Sequence, residues 1–80
     1  MNSGNNLRAE IEERVLNLFE EHLEAHIALD TPLRENFDEL DIIELFMAVE
    51  EEFELEISPL QEEFFETPKD FVDFIYNALE

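Results

Sequence analysis

Glu39 stands at the head of the most strongly patterned stretch of the chain, Phe37–Phe53 (FDELDIIELFMAVEEEF), directly after Asp38. Asp38 is a favoured N-cap, and Asp41 three positions on has the place of the acidic partner in a capping box. A carboxylate at residue 39 then suits the positive end of the helix dipole, but it offers neither an alcohol nor a thiol to form a covalent intermediate. His22 and His26 are four apart, a spacing at which two imidazoles on one helix can share a metal; Leu23 rather than Glu follows the first, so the zinc-protease pattern fails and two cap-proximal histidines are expected. Asp38–Glu52 also fails as a calcium loop, because Leu40, Ile42 and Ile43 occupy places that need oxygen ligands and a glycine.

Carboxylate pairs are so frequent here that pairing alone says nothing about acid–base catalysis, which needs a pocket that shifts pKa values. There is no cysteine, no glycine-rich phosphate loop and no Ser/His/Asp arrangement. No metal site and no enzymatic activity are expected.

The elements that position Glu39 follow from periodicity and caps. Leu7, Ile11, Val15, Leu18 or Phe19, and Leu23 step by three and four, which predicts a first helix of four or five turns carrying both histidines. Ala25–Phe37 loses that period and holds Asp30, Pro32 and Asn36, so it reads as an ordered loop pinned by Ile27, Leu29 and Leu33. The second helix follows, with Leu40, Ile43, Phe46 or Met47, and Phe53 as its apolar side and Asp41, Glu44 and Glu50–Glu52 left to solvent. Ser58-Pro59-x-Gln61 opens a short third helix to about Phe65, and Thr67-Pro68-x-Asp70 opens a last one with Phe71, Val72, Phe74, Ile75 and Leu79 inward. The expectation is an all-α four-helix bundle, three helices longer and one short, with a long loop between the first two.

Eighty residues allow one domain. We assign it to residues 7–80, with Met1–Asn6 as a flexible tail. Hydrophobic residues make up 45% of the chain, including eight Phe. Of these, Phe37, Phe46, Phe53, Phe64, Phe65, Phe71 and Phe74 are expected in the core. The 23 acidic and 4 basic residues give a net charge of −19. That field repels nucleic acid and anionic lipid and attracts basic protein surfaces, so a protein partner is expected, with no nucleic acid and no membrane. The polar, uncharged Met1–Asn6 is not a targeting segment, and no apolar run approaches bilayer length, which points to a cytoplasmic monomer.

Phe37–Phe53 resembles the second helix of acyl carrier proteins, which write Asp-Ser-Leu at the helix start and attach phosphopantetheine to that serine. The resemblance continues more generically in Ile11–Val15, Asp30–Glu35 and Ile57–Ile75. It implies an acyl-carrier-like bundle, with Asp38, Glu39, Leu40, Asp41, Glu44, Met47 and Glu51 on the face that carriers present to enzymes. It also implies that Glu39 matches the attachment position and is not modified, so no cofactor is expected unless position 39 is natively serine. The approach Asn36–Phe37 is about one residue shorter than the Leu-Gly-containing form in the family.

The functional expectation is a binding module that docks this acidic face on a carrier-recognising enzyme with a basic surface, such as a synthetase or acyltransferase. The alternative is an acyl or aminoacyl carrier of fatty-acid, polyketide or related biosynthesis with position 39 substituted. Thr67-Pro68 resembles the last-helix start of aminoacyl, D-alanyl and fatty-acid carriers alike, so the resemblance leaves the cargo class open. A structural acidic bundle, or a mimic of nucleic acid, is a third class that would not use the second-helix face.

Overall fold

Three cap sequences set the frame. In a computed structural model, which describes the backbone of residues 3–80 and the side chains from Leu7 onward, the helices are α1 (Ser3–Leu23), α2 (Leu33–Asn36), α3 (Glu39–Phe53), α4 (Pro59–Glu62) and α5 (Pro68–Leu79). The Asp38 carboxylate accepts from the Asp41 N–H at 2.9 Å to start α3. Asp41 returns no bond to the Asp38 N–H, so this cap is one-sided. At α4 the box is reciprocal, with Ser58 and Gln61 each accepting from the other's N–H at 3.3 Å. At α5 the Asp70 carboxylate takes the N–H groups of Glu66 and Thr67, at 2.7 and 3.0 Å.

The fold is all-helical among the described residues, with three longer helices as expected and two short ones instead of one. The additional helix, α2, lies within the long loop. It is a single four-residue turn, too short to leave a periodic signature in sequence. Of the expected tail, Met1 and Asn2 lie outside the described residues, whereas the backbone from Ser3 is helical.

α1 packs against α5 and α3, and α2 packs against α3. Ile11, Val15 and Phe19 of α1 meet Ile42, Leu45, Phe46, Val49 and Phe53 of α3 and Phe71, Val72 and Ile75 of α5, with Leu33, Ile57 and Phe65 closing the ends. The rings form a connected cluster: Phe71 lies edge-on to Phe19 at 5.0 Å and to Phe65 at 4.8 Å, and Phe46 is tilted against Phe71 at 4.8 Å. Edge-on and tilted contacts of this kind add to the area the rings bury.

The loop is tied to the α4–α5 connection and to the first turn of α5 by backbone bonds, Leu33 N–H to Glu66 O at 2.8 Å and Lys69 N–H to Leu29 O at 3.0 Å. Ile27 and Leu33 are buried beneath it and Leu29 is half-buried, as expected.

Four expectations are corrected, the first being Leu79, which is 44% exposed at the C-terminal end of α5. The apolar side of α3 is rotated: Leu40 and Met47 are 72% and 62% exposed and Ile43 is exposed, while Ile42, Leu45 and Val49 are buried with Phe46 and Phe53. The run from Leu40 to Val49 is apolar on more than one face, so only packing on α1 and α5 selects the buried one. Phe64 is 75% exposed, because α4 lasts one turn and the following turn directs only Phe65 toward Phe46 and Phe71. His26 is not on α1, which stops at Leu23 when Glu24 turns left-handed at φ 52°.

Candidate functional site

The head of α3 is fixed from both sides. Phe37 is extended and its N–H closes α2 on Leu33 O at 2.9 Å, so the chain passes from α2 into the Asp38 cap with no spare residue. Arg34 of α2 reaches across to α4, donating from Nη2 to Glu62 O at 2.8 Å and from Nε to Phe65 O at 3.3 Å. These are carbonyls at and just beyond the end of α4, where a cation is favourably placed. Arg34, Phe37, Glu39 and Ile42 line one small depression. Glu39 is exposed at its rim, as the first helical residue of α3.

From there the expected docking residues continue along α3, with Leu40, Glu44, Met47 and Glu51 on one side of the helix. Asp38, Glu39, Leu40, Glu44, Met47 and Glu51 are exposed, and Asp41, next to the cap, is half-buried. Ile43 joins them as a third exposed apolar residue that sequence reasoning had placed inside. The result is an apolar stripe, Leu40–Ile43–Met47, flanked by carboxylates.

Further along α3 the surface dips into a groove shared with α1, where Leu18 and His22 face Glu44, Met47, Ala48 and Glu51. Leu18 and His22 lie far from α3 in sequence, so no motif within either helix marks them. At one side of this groove Arg14 bonds Glu52 at 2.8 Å and lies over the Phe53 ring, 4.4 Å from its centre.

The remaining cations are also engaged. Arg8 of α1 pairs with Asp73 of α5 and with Glu12, and lies over Tyr76; Lys69 pairs with Asp73 at 3.3 Å. Burial alone pushes the Asp73 carboxyl up, but the hydrogen bonds and charges of Arg8 and Lys69 outweigh it and hold the group below its ordinary value. The hydrogen bond to Asp73 correspondingly raises Arg8. With all four basic side chains committed, the carboxylates of the α3 face set the local field.

No group of three or more metal-ligating side chains occurs among the described residues, and no described helix is long and apolar enough to cross a membrane. His26 instead pairs its Nδ1 with Glu20 at 3.1 Å.

No protein-family model matches the chain. Over 40 residues it is 50% identical to the acyl carrier protein of Buchnera aphidicola subsp. Schizaphis graminum (strain Sg), covering 50% of this chain and 51% of that relative. A second acyl carrier protein, from Buchnera aphidicola subsp. Acyrthosiphon pisum (strain 5A), is 50% identical over 40 residues, half of each chain. Half of the chain is thus similar to acyl carrier proteins. The acyl carrier protein of Thermosynechococcus vestitus is likewise 50% identical over 44 residues, 55% of this chain and 54% of the relative. The chain therefore spans about half the length of the curated relatives it matches.

Phosphopantetheine is joined to a protein through a phosphate ester, which requires an alcohol oxygen. At the head of α3 this chain presents the Glu39 carboxylate. Other described hydroxyls serve the fold: Ser58 caps α4, and Thr31 Oγ1 accepts from the Ala28 N–H at 2.9 Å. The residues present at the α3 head thus do not fit covalent attachment of the arm.

Proposed function

We propose that this chain is a cytoplasmic, acyl-carrier-like binding module, without catalytic activity or a prosthetic arm, that docks its α3 face on a carrier-recognising enzyme such as a synthetase or acyltransferase. The observation that carries the reading is the exposed stripe Leu40–Ile43–Met47 between Glu39, Glu44 and Glu51, next to a helix head that offers no alcohol. Carboxylates around an accessible apolar stripe suit a basic surface with an apolar centre: charge speeds encounter and the flexible Met47 gives a contact that adapts its shape. Glu39 takes the place of the attachment serine in this reading, and its negative charge imitates that of a phosphorylated serine toward the partner.

Affinity for a basic carrier-recognising enzyme, such as a phosphopantetheinyl transferase, tests the docking reading. Glu39→Ala is expected to weaken binding while the circular dichroism and melting of the domain stay unchanged. Unchanged affinity would count against the role given to Glu39.

The names of the relatives favour a second reading more directly than the first: a working carrier of acyl or aminoacyl groups in which position 39 is natively serine. The same face would serve a carrier, and phosphopantetheine would then be its cofactor. The two readings part on a single oxygen atom at residue 39.

A further inference from the structure

We propose that the groove between α1 and α3 seats a basic amphipathic helix of the partner, with one apolar side chain entering between Leu18 and Met47. This rests on the docking reading above and extends it from the face of one helix to a site built by two. Leu18, Met47 and Ala48 give the groove its apolar lining and Glu44, Glu50, Glu51 and Glu52 its acidic one, with His22 on the α1 side. Glu44 and Glu51 are two turns apart on the same side of α3, about 10 Å along the axis, and Met47 lies between them. A partner helix with Lys or Arg at both ends of a similar two-turn span and Leu, Ile or Met midway matches this order of charge, apolar and charge. Electrostatic complementarity selects a cationic occupant, since no lysine or arginine lines the groove and the nearby Arg14 is held by Glu52 and the Phe53 ring.

The exposed pair Leu60 and Phe64 near α4 provides an internal comparison, being apolar and accessible but outside the groove. The probe is a short, fluorescently labelled helical peptide of Ala and Gln with two lysines seven positions apart and one leucine midway, followed by anisotropy. Leu18→Gln is expected to weaken binding about tenfold, as for removal of an anchor contact, and Leu60→Gln to leave it nearly unchanged. Leu18 also packs on the core, so folding of that variant is checked by circular dichroism, and His22→Lys, at an exposed position, supplies a second test. His22→Lys should weaken binding clearly more than Asn77→Lys, an equal charge change on exposed α5 surface. Failure of the peptide to bind, unchanged affinity in either groove variant, or equal losses at Leu60 or Asn77 would overturn the proposal. If binding instead responds to Met47→Gln but not to the two α1 variants, the groove is wrong and docking on α3 still stands.

Discussion

Glu50 and Ile57 are joined across the end of α3: the Glu50 carboxylate accepts the Ile57 N–H at 2.9 Å. The end of α1 repeats the device, with Glu20 accepting the Ile27 N–H at 3.0 Å. Between the partners a glutamate turns left-handed, Glu54 at φ 55° and Glu24 at φ 52°, a region unfavourable for a residue with a β-carbon. Each helix thus leaves for its connection through a strained residue that a carboxylate clamp spans.

Removing the clamp should therefore cost more than removing the strain. Glu50→Ala is expected to lower unfolding stability by about 1–3 kcal/mol, the range for leaving a partly buried N–H without its acceptor. Glu54→Gly should be neutral or stabilising by up to about 1 kcal/mol. Urea titrations of both variants check this; a destabilised Glu54→Gly beside an unaffected Glu50→Ala would contradict it.

The pairing of Arg8 and Asp73 predicts a pH dependence with a definite sign. Because the folded state holds the Asp73 carboxyl below its ordinary value, the pair stabilises the fold above the unfolded carboxylate range and loses that contribution as pH falls through the folded value. Asp73→Asn should cost less than about 1 kcal/mol near neutral pH, since the pair is partly open to solvent, with side chains 32% and 42% exposed. The gap from the native chain should narrow as pH falls below the ordinary carboxylate range and through the lowered folded value. A gap that widened on acidification would reverse the assigned sign.

Two phenylalanines seven positions apart should differ sharply. Phe71, 1% exposed and touching Phe19, Phe46 and Phe65, is expected to cost about 3–5 kcal/mol on change to Ala, enough to unfold much of a small domain. Phe64→Ala should stay within about 0.5 kcal/mol, as at an ordinary surface site. Thermal melts of the two variants make the comparison.

Four engaged cations against 23 carboxylates make the fold sensitive to screening. Raising salt from about 10 to about 200 mM shortens the Debye length from roughly 30 Å to below 10 Å, which mutes repulsion across the whole domain. The melting temperature should rise by about 5 °C or more, the shift that 1 kcal/mol produces in a domain of this size. A flat or falling melting temperature would show that self-repulsion does not limit stability.

Local chemistry was readable from sequence and tertiary choice was not. Asp38, Ser58 and Thr67 announce their helices because a cap involves only three or four neighbouring residues. The phase of α3 was hidden, since Leu40, Ile42, Ile43, Leu45, Phe46, Met47 and Val49 supply more apolar positions than one face can hold, and α1 and α5 choose among them. Phe64 and Phe65 differ only in which side of a turn they leave, and His26 lost its helical register to the reversal at Glu24. That Leu40, Glu44, Met47 and Glu51 share one side of α3 was legible from their spacing. Leu18 and His22 were not, because nothing within α1 says which part of α3 lies opposite.

The absence of an alcohol at the α3 head is tested most directly by the intact mass of the purified chain after incubation with a phosphopantetheinyl transferase and coenzyme A. The docking-module reading predicts no added mass on the chain with Glu39 and one phosphopantetheine on Glu39→Ser. A phosphopantetheine adduct on the Glu39 chain would contradict it.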